Sequence, residues 1–145
     1  LELGTSGAAA NYLESGITQS INKVVAFGSS IADTDYTPSA TDISDYIAAV
    51  NSSYSSAASN ADKLNIIIKE YFIALYGNGV EAFNSYRRTG KPGALQPLRK
   101  EDTNRCLRSF YYPTDYVNLN LNASQKPDVF QKVFWDNNPE TDLIN

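Results

Sequence analysis

The most regular hydrophobic pattern in the chain lies between residues 64 and 75. Apolar side chains recur there at spacings of three and four, at Leu64, Ile67, Ile68, Tyr71, Phe72, Ala74 and Leu75. This spacing predicts a helix with one broad apolar face. Ser59 and Asp62, just ahead of the run, have the capping-box spacing that marks a helix start. Gly77-Asn78-Gly79 predicts a sharp end, because these residues tolerate positive φ.

A second, shorter helix is predicted after this corner. The helical spacing resumes at Val80, Phe83 and Tyr86. Gly90 and Pro92 then stop it, because proline cannot continue a helix and glycine favours helix ends. We predict that the loop after this helix carries Arg87 and Arg88.

The rest of the chain gives weaker patterns. Thr5 to about Phe27 and Thr41 to Val50 both have helical spacing, whereas Asn51 to Asn60 is predicted to be a polar linker carrying Tyr54. Periodicity fades after Pro92, and a short helix is predicted to begin near Pro113. The predicted fold class is mainly α, with about four packed helices followed by an irregular C-terminal segment. We expect residues 1–145 to form a single unit.

Composition restricts the possible chemistry. The chain has no histidine and one cysteine, Cys106, which excludes histidine-based catalysis, an internal disulfide and a cysteine zinc cluster. We predict no catalytic residue, no cofactor and no metal. Residues 87–108 carry seven bases against two acids, but the net charge of −4 and the lack of a nucleic-acid motif argue against nucleic-acid binding. No run approaches the ~18 apolar residues of a membrane span.

Tyrosine is the residue type that most suggests ligand binding, because its ring can stack on a sugar and its hydroxyl needs a partner. Five tyrosines lie on helical stripes and are predicted to be core: Tyr12, Tyr46, Tyr71, Tyr76 and Tyr86. Tyr36 and Tyr54 lie on polar stretches and are the predicted ligand contacts. For a lone tyrosine such as Tyr54, however, the more common outcome is that the ring folds back onto the nearest helix.

Two charged groups have both a functional and a structural interpretation. Arg87 and Arg88 could bind a carboxylate or sugar hydroxyls, but the favoured interpretation is that they complement the C-terminal end of a helix. Asp33, Asp35 and Asp42 could hold calcium, which prefers oxygen ligands. Their spacing does not match the twelve-residue EF-hand loop, so a solvated acidic loop is favoured.

Several motifs occur in the order seen near the C-terminus of one protein family. The segment KEYFIALYGNGVEAFNSYRRTGKPGALQP (residues 69–97) is followed by a YP segment, an asparagine-rich loop and Phe134-Trp135-Asp136. These pieces resemble the SusD/RagB family of nutrient-binding outer-membrane lipoproteins of Bacteroidetes. The motif residues, which the resemblance implies are framework, are Asn78, Gly79, Glu81, Arg87, Arg88, Thr89, Gly90, Tyr112, Pro113, Trp135 and Asp136. Asp115 and Phe134 depart from the family pattern, which more often has glutamate and tryptophan there.

The resemblance implies a fold and a function. The chain would be the C-terminal portion of a helical, TPR-containing protein whose lipid anchor lies outside this sequence. It would bind a nutrient, a glycan or oligosaccharide, at the cell surface for import through a TonB-dependent, SusC-like transporter. The alternative is a structural helical scaffold that contacts the transporter and has no ligand contact of its own.

Overall fold

The computed structural model of the chain describes residues 7–30, 37–93, 95, 107–136 and 138. These residues contain five helices: α1 (Ala9–Gly28), α2 (Ala40–Ser56), α3 (Asn60–Ala74), α4 (Gly79–Thr89) and α5 (Thr114–Leu119). No strand occurs in the described part of the chain. The predicted mainly α class, with about four helices before an irregular segment, is confirmed.

The chain divides into two compact units, Leu1–Gly77 and Asn78–Asn145, which we call unit 1 and unit 2. In unit 1, each of the helices α1, α2 and α3 packs against the other two. Unit 2 contains α4, α5 and the irregular C-terminal segment. The expectation that residues 1–145 form a single unit stays a prediction.

The core of unit 1 is formed by one stripe from α1 and one from α2. Leu13 and Ile17 are four residues apart on α1 and pack with Val50 and Tyr54, which are four residues apart on α2. Residues at this spacing share one helix face, so each helix presents two adjacent side chains to the other. Full burial of such an aliphatic side chain stabilises the fold by roughly 1.5–3 kcal/mol. The predicted helix start at Thr5 lies outside the described residues.

The predicted polar linker at Asn51–Asn60 is wrong over most of its length, because α2 continues to Ser56. Burial of one ring keeps this serine-rich stretch helical, while a serine hydroxyl is satisfied within the helix. The Tyr54 ring is buried in the core, and the Ser53 hydroxyl donates to the Ala49 carbonyl at 3.0 Å. Burial of a single aromatic side chain therefore outweighs the weak helix propensity of serine, which polar composition alone could not indicate.

Both α2 and α3 begin with a complete capping box. The Ser59 hydroxyl accepts from the Asp62 N–H at 3.1 Å, and the Ser59 N–H donates to the Asp62 carboxylate at 3.1 Å. This confirms the predicted start of α3. Ser39 and Asp42 form the same arrangement at α2. The Ser39-x-x-Asp42 spacing is present in the sequence and indicates that α2 starts at Ala40, one residue before the predicted Thr41.

The predicted corner and the second short helix are confirmed. Gly77 has a φ of 88°, and the Asn78 side chain caps α4 by accepting from the Glu81 N–H at 3.3 Å. Gly90 ends α4 in the left-handed region with a φ of 67°. A side chain other than glycine would be strained there, so this position requires glycine.

The loop placement of Arg87 and Arg88 is wrong, because both residues lie in the last turn of α4. The helix runs three residues beyond its last apolar stripe position, Tyr86, and ends only at Thr89. Its final carbonyls carry a partial negative charge that two cations complement. The position thus fits the structural interpretation that the sequence favoured.

The irregular segment of unit 2 is held by side-chain and backbone hydrogen bonds. The Arg108 and Ser109 N–H groups both donate to the Val129 carbonyl at 3.0 Å. The Gln125 side chain accepts from the Tyr112 N–H and donates to the Tyr112 carbonyl, each at 2.9 Å. These bonds replace the ladder that a strand would supply, so the segment is ordered without regular structure.

Candidate functional site

A groove of about 870 Å³ runs along unit 1 between α1, α2 and α3. Its walls are mainly apolar, with Leu13, Ile17 and Ile21 from α1, Ile43 from α2 and Ile67 from α3. Ligand pockets typically occupy about 300–1,000 Å³ and combine apolar walls with a few polar groups. The groove therefore has the size and character of a small-ligand site.

Small residues keep the groove open on the α1 side. Ala9, Gly16 and Ser20 lie on the lining of α1. A Cβ built at Gly16 would meet no atom within 4 Å, so no neighbour packs against this glycine. The conformational cost of glycine inside a helix, about 1 kcal/mol relative to alanine, is thus not offset by a close contact. The small residues therefore leave the α1 wall of the groove open.

Three tyrosines from three different helices line this groove. Tyr12 on α1 is 71% exposed, Tyr46 on α2 is 40% exposed and Tyr71 on α3 is 43% exposed. Their prediction as core residues is wrong, because the buried contact between α1, α2 and α3 is narrower than the apolar stripe that the helical spacing indicated. Tyr76 is also exposed, at 99%, but lies outside the groove, and only Tyr86 is buried as predicted.

The most buried polar group of the groove is Glu70 on α3. Glu70 is only 7% exposed, and its carboxylate accepts a hydrogen bond from the Tyr46 hydroxyl at 2.6 Å. Burial of the phenol, followed by this hydrogen bond and the carboxylate charge, raises the pKa of Tyr46 to about 12. Tyr46 therefore stays protonated and remains a donor to Glu70 throughout the physiological pH range.

Sequence reasoning missed Glu70 as a site residue, although a signal was present. Glu70 follows Ile67 by three positions and precedes Ala74 by four, so it lies on the apolar stripe of α3 rather than on its polar face. An acidic residue on an apolar stripe must have a partner when buried. Here that partner is Tyr46, on a helix that the α3 pattern alone could not identify.

The carboxylate of Asp42 also lies on the groove lining, but it is used locally. It accepts from the Ser39 hydroxyl at 2.7 Å and from the Ser39 N–H at 2.8 Å. These hydrogen bonds lower the pKa of Asp42. Asp33 and Asp35, the other residues of the calcium alternative, lie outside the described residues. Within the described ranges, no group of three acidic, cysteine or histidine side chains is close enough to hold a metal.

The two predicted ligand contacts have different outcomes. Tyr36 lies outside the described residues. Tyr54 is 9% exposed, and its ring packs with Leu13, Ile17 and Val50, with the Lys63 Nζ 5.5 Å from the ring centroid. This is the alternative in which the ring folds onto a helix. Ligand contact at Tyr54 stays a prediction, but it would require the core of unit 1 to open.

Unit 2 contains a separate cluster around the Arg87 side chain. The guanidinium lies between two aromatic rings, 4.4 Å from the Phe83 centroid and 4.7 Å from the Trp135 centroid. It donates to the Arg108 carbonyl at 3.1 Å and to the Asn84 side chain at 2.7 Å. Arginine is suited to this position, because its planar group stacks on rings while its edge donates hydrogen bonds.

A buried ion pair lies beside this cluster. Two nitrogens of Arg108, Nε and Nη2, donate to the two carboxylate oxygens of Asp136, each at 2.6 Å. The two side chains are 8% and 0% exposed. Bidentate pairs of this kind have a fixed geometry, so the pair ties the segment near residue 108 to the one near residue 136.

Three residues of this cluster and ion pair, Arg87, Trp135 and Asp136, are among the motif residues identified in the sequence. The family model for SusD-like proteins, described as SusD and RagB outer membrane lipoprotein, matches residues 2–143. The chain belongs to the SusD-like family. No curated protein and no solved structure was found to match it.

The SusD-like signature can now be located on the structure of unit 2. Asn78 and Glu81 form the start of α4, Arg88 and Thr89 its last turn, and Gly90 its end. Pro113 directly precedes α5 and makes no side-chain cap, whereas the Tyr112 backbone is hydrogen-bonded to the Gln125 side chain. Arg87, Trp135 and Asp136 belong to the stacked cluster and the ion pair. These contacts fit a framework role, which stays a prediction.

Family membership also gives the location. SusD-like proteins are outer-membrane lipoproteins, which places this chain at the outer-membrane cell surface. Of the helices that the structure describes, none is both long and apolar enough to cross a membrane. Members of the family bind rather than transform their ligands.

Proposed function

We propose that this chain belongs to a cell-surface protein that captures a soluble glycan or oligosaccharide and passes it to a TonB-dependent, SusC-like transporter. The mechanism is binding and release, with no bond made or broken. Membership of an outer-membrane lipoprotein family supports this setting. The chemistry of the groove in unit 1 supports the ligand class.

The observation that carries the proposal is that Tyr12, Tyr46 and Tyr71 line the same groove as Glu70, with the Tyr46 hydroxyl hydrogen-bonded to the Glu70 carboxylate. Sugar rings have an apolar face that packs on an aromatic ring and hydroxyl edges that need hydrogen-bond partners. Tyr12 and Tyr71 offer exposed rings, while the Glu70 carboxylate offers acceptor positions within the same groove. A single groove thus meets both needs of a sugar.

The proposal is tested by calorimetric titration of the full chain with a panel of soluble polysaccharides and oligosaccharides. Aromatic stacking typically contributes about 0.5–1.5 kcal/mol per ring. Tyr12→Ala and Tyr71→Ala should therefore each weaken binding about two- to tenfold. Tyr76→Ala is the control, since Tyr76 is an exposed tyrosine of the same unit that does not line the groove.

Equal effects of all three substitutions would contradict the groove assignment. Tyr36→Ala belongs in the same series, because Tyr36 remains a proposed contact from its position on a polar stretch. Tyr54→Ala is informative only together with a stability measurement, since the Tyr54 ring is part of the core.

The second candidate is a scaffold that contacts the transporter and binds no ligand itself. The observation in its favour is that three motif side chains of unit 2, Arg87, Trp135 and Asp136, are used for internal contacts. Under this alternative, the groove variants leave ligand binding unchanged. Co-purification with the transporter would then be lost when exposed residues of the chain are substituted.

A further inference from the structure

Among the described residues that line the groove, the charged groups are acidic. Glu70 and Asp42 contribute carboxylates, and no lysine or arginine is among the described residues that line the groove. Asp42 is hydrogen-bonded within its capping box, whereas Glu70 has one hydrogen bond from a described residue, the Tyr46 hydroxyl. Glu70 is therefore the charged group that a ligand entering the groove would meet.

A buried carboxylate favours a cationic partner. Removal of a charge from water is costly unless an opposite charge or hydrogen-bond donors compensate, and Glu70 is 7% exposed. Tyr46 supplies one neutral donor at 2.6 Å. Its single proton is used in that bond, so further compensation must come from water or ligand.

The aromatic walls favour the same charge. The face of a tyrosine ring carries negative potential and attracts cations within about 6 Å of its centroid. Tyr12 and Tyr71 place two such rings on the same groove as Glu70. The rings and the carboxylate on this groove lining are therefore groups that each attract a protonated amine.

We propose that the groove selects oligosaccharides by charge, binding amino sugars most tightly, neutral sugars less tightly and carboxylated or sulfated sugars least. This inference rests on the proposed function, because it names the ligand class of the same groove. A protonated amine would donate a charge-assisted hydrogen bond to Glu70. A sugar carboxylate would instead be repelled by Glu70, and none of the described lining residues would offer it a base.

The test uses three oligosaccharides of equal length and linkage, built from glucosamine, glucose or glucuronic acid, titrated into the full chain. A hydrogen bond to a charged group contributes about 1.5–3 kcal/mol, so the glucosamine form should bind at least about tenfold more tightly than the glucose form. N-acetylation of the glucosamine oligosaccharide removes the positive charge without any change in the protein. It should lower the affinity to about that of the neutral sugar.

Glu70→Gln removes the carboxylate charge while its amide oxygen can still accept from Tyr46. We expect this variant to reduce the preference for the amino sugar to about twofold or less while glucose binding persists. Glu14→Gln is the control, because Glu14 lies on α1 of the same unit and does not line the groove. The acetylation experiment keeps the inference testable even if Glu70→Gln unfolds.

The outcomes separate this inference from the proposed function. If neutral and acidic sugars bind as tightly as the amino sugar, in a manner that depends on Tyr12 and Tyr71, the charge selection is refuted and glycan capture stands. If the preference survives Glu70→Gln, or acetylation has no effect, the role of Glu70 is refuted. If none of the oligosaccharides binds, both the inference and glycan capture by this groove are refuted.

Discussion

The ion pair between Arg108 and Asp136 gives the sharpest stability prediction. Asp136→Asn keeps the shape of the side chain but removes its charge and one of its two acceptor oxygens. The Arg108 guanidinium, with a side chain only 8% exposed, then remains charged without a charged partner among the residues described around it. Breaking a buried pair in this way typically costs about 3–5 kcal/mol.

The expected loss is about 3 kcal/mol, at the lower end of that range, because the asparagine oxygen can still accept one hydrogen bond. Proteins of this size have a free energy of unfolding of roughly 5–15 kcal/mol, so the substitution removes a large fraction of it. With a urea dependence of roughly 1–3 kcal/mol per molar, the unfolding midpoint should fall by about 1–3 M.

Tryptophan fluorescence during urea unfolding is the appropriate assay. Trp135 is the single tryptophan of the chain, precedes Asp136 and stacks on Arg87, so its emission reports on unit 2. Asp115→Asn is the control, because Asp115 is exposed in the first turn of α5. A surface carboxylate at a helix start contributes less than about 1 kcal/mol.

A double variant, Arg108→Met with Asp136→Leu, tests the cause. Replacement of both partners by apolar residues is often neutral, because no unpaired charge remains. We expect the double variant to be more stable than Asp136→Asn alone. The reasoning is refuted if Asp136→Asn costs no more than Asp115→Asn, or if the double variant is the less stable of the two.

Two further predictions follow from local contacts. Arg87→Lys should destabilise unit 2 by about 1–2 kcal/mol in urea unfolding, because lysine cannot both stack between two rings and donate a planar pair of hydrogen bonds. Arg88→Lys is the control, since Arg88 is exposed, and it should change the free energy of unfolding by less than about 0.5 kcal/mol. Equal effects of the two substitutions would contradict the stacking role of Arg87. The difference in near-ultraviolet absorbance between the wild type and Tyr46→Phe should show one phenol ionising at a pH of about 12. Because the folded pKa of Tyr46 is raised above that of the unfolded chain, about 10, its stabilising contribution is complete below pH 10 and is lost as the pH rises through 12. A difference titration centred near pH 10 would show that Glu70 does not hold the phenol.

Local signals predicted much of the fold. The capping box at Ser59, the corner at Gly77 and the end of α4 at Gly90 were readable because each depends on residues within one turn of the chain. The stretch Asn51–Asn60 was wrongly predicted as a linker because its structure depends on a distant contact. There the decisive interaction joins Tyr54 to α1, some forty residues away, and no local rule contains it.

The candidate site was predicted least well. Sequence reasoning assigned ligand contact to tyrosines on polar stretches and placed those on helical stripes in the core. The structure shows the opposite: Tyr54 is buried, whereas Tyr12 and Tyr71 are exposed. A helical stripe is wider than the contact between two helices, so residues at its edge line grooves instead of filling the interior. Which edge residues do so depends on how the helices pack.

The sequence by itself determined that the chain is mainly helical, the cap that starts α3, the corner before α4 and the family, because these depend on spacing, turn chemistry and motifs within short segments. The tertiary structure alone decided which tyrosines are exposed, that Glu70 meets Tyr46 and that Arg108 meets Asp136. These pairs join residues 24 and 28 positions apart. The packing of whole elements decides which residues come into contact. Because burying a charge without a partner is costly, each of these charged residues then requires the partner that the packing supplies.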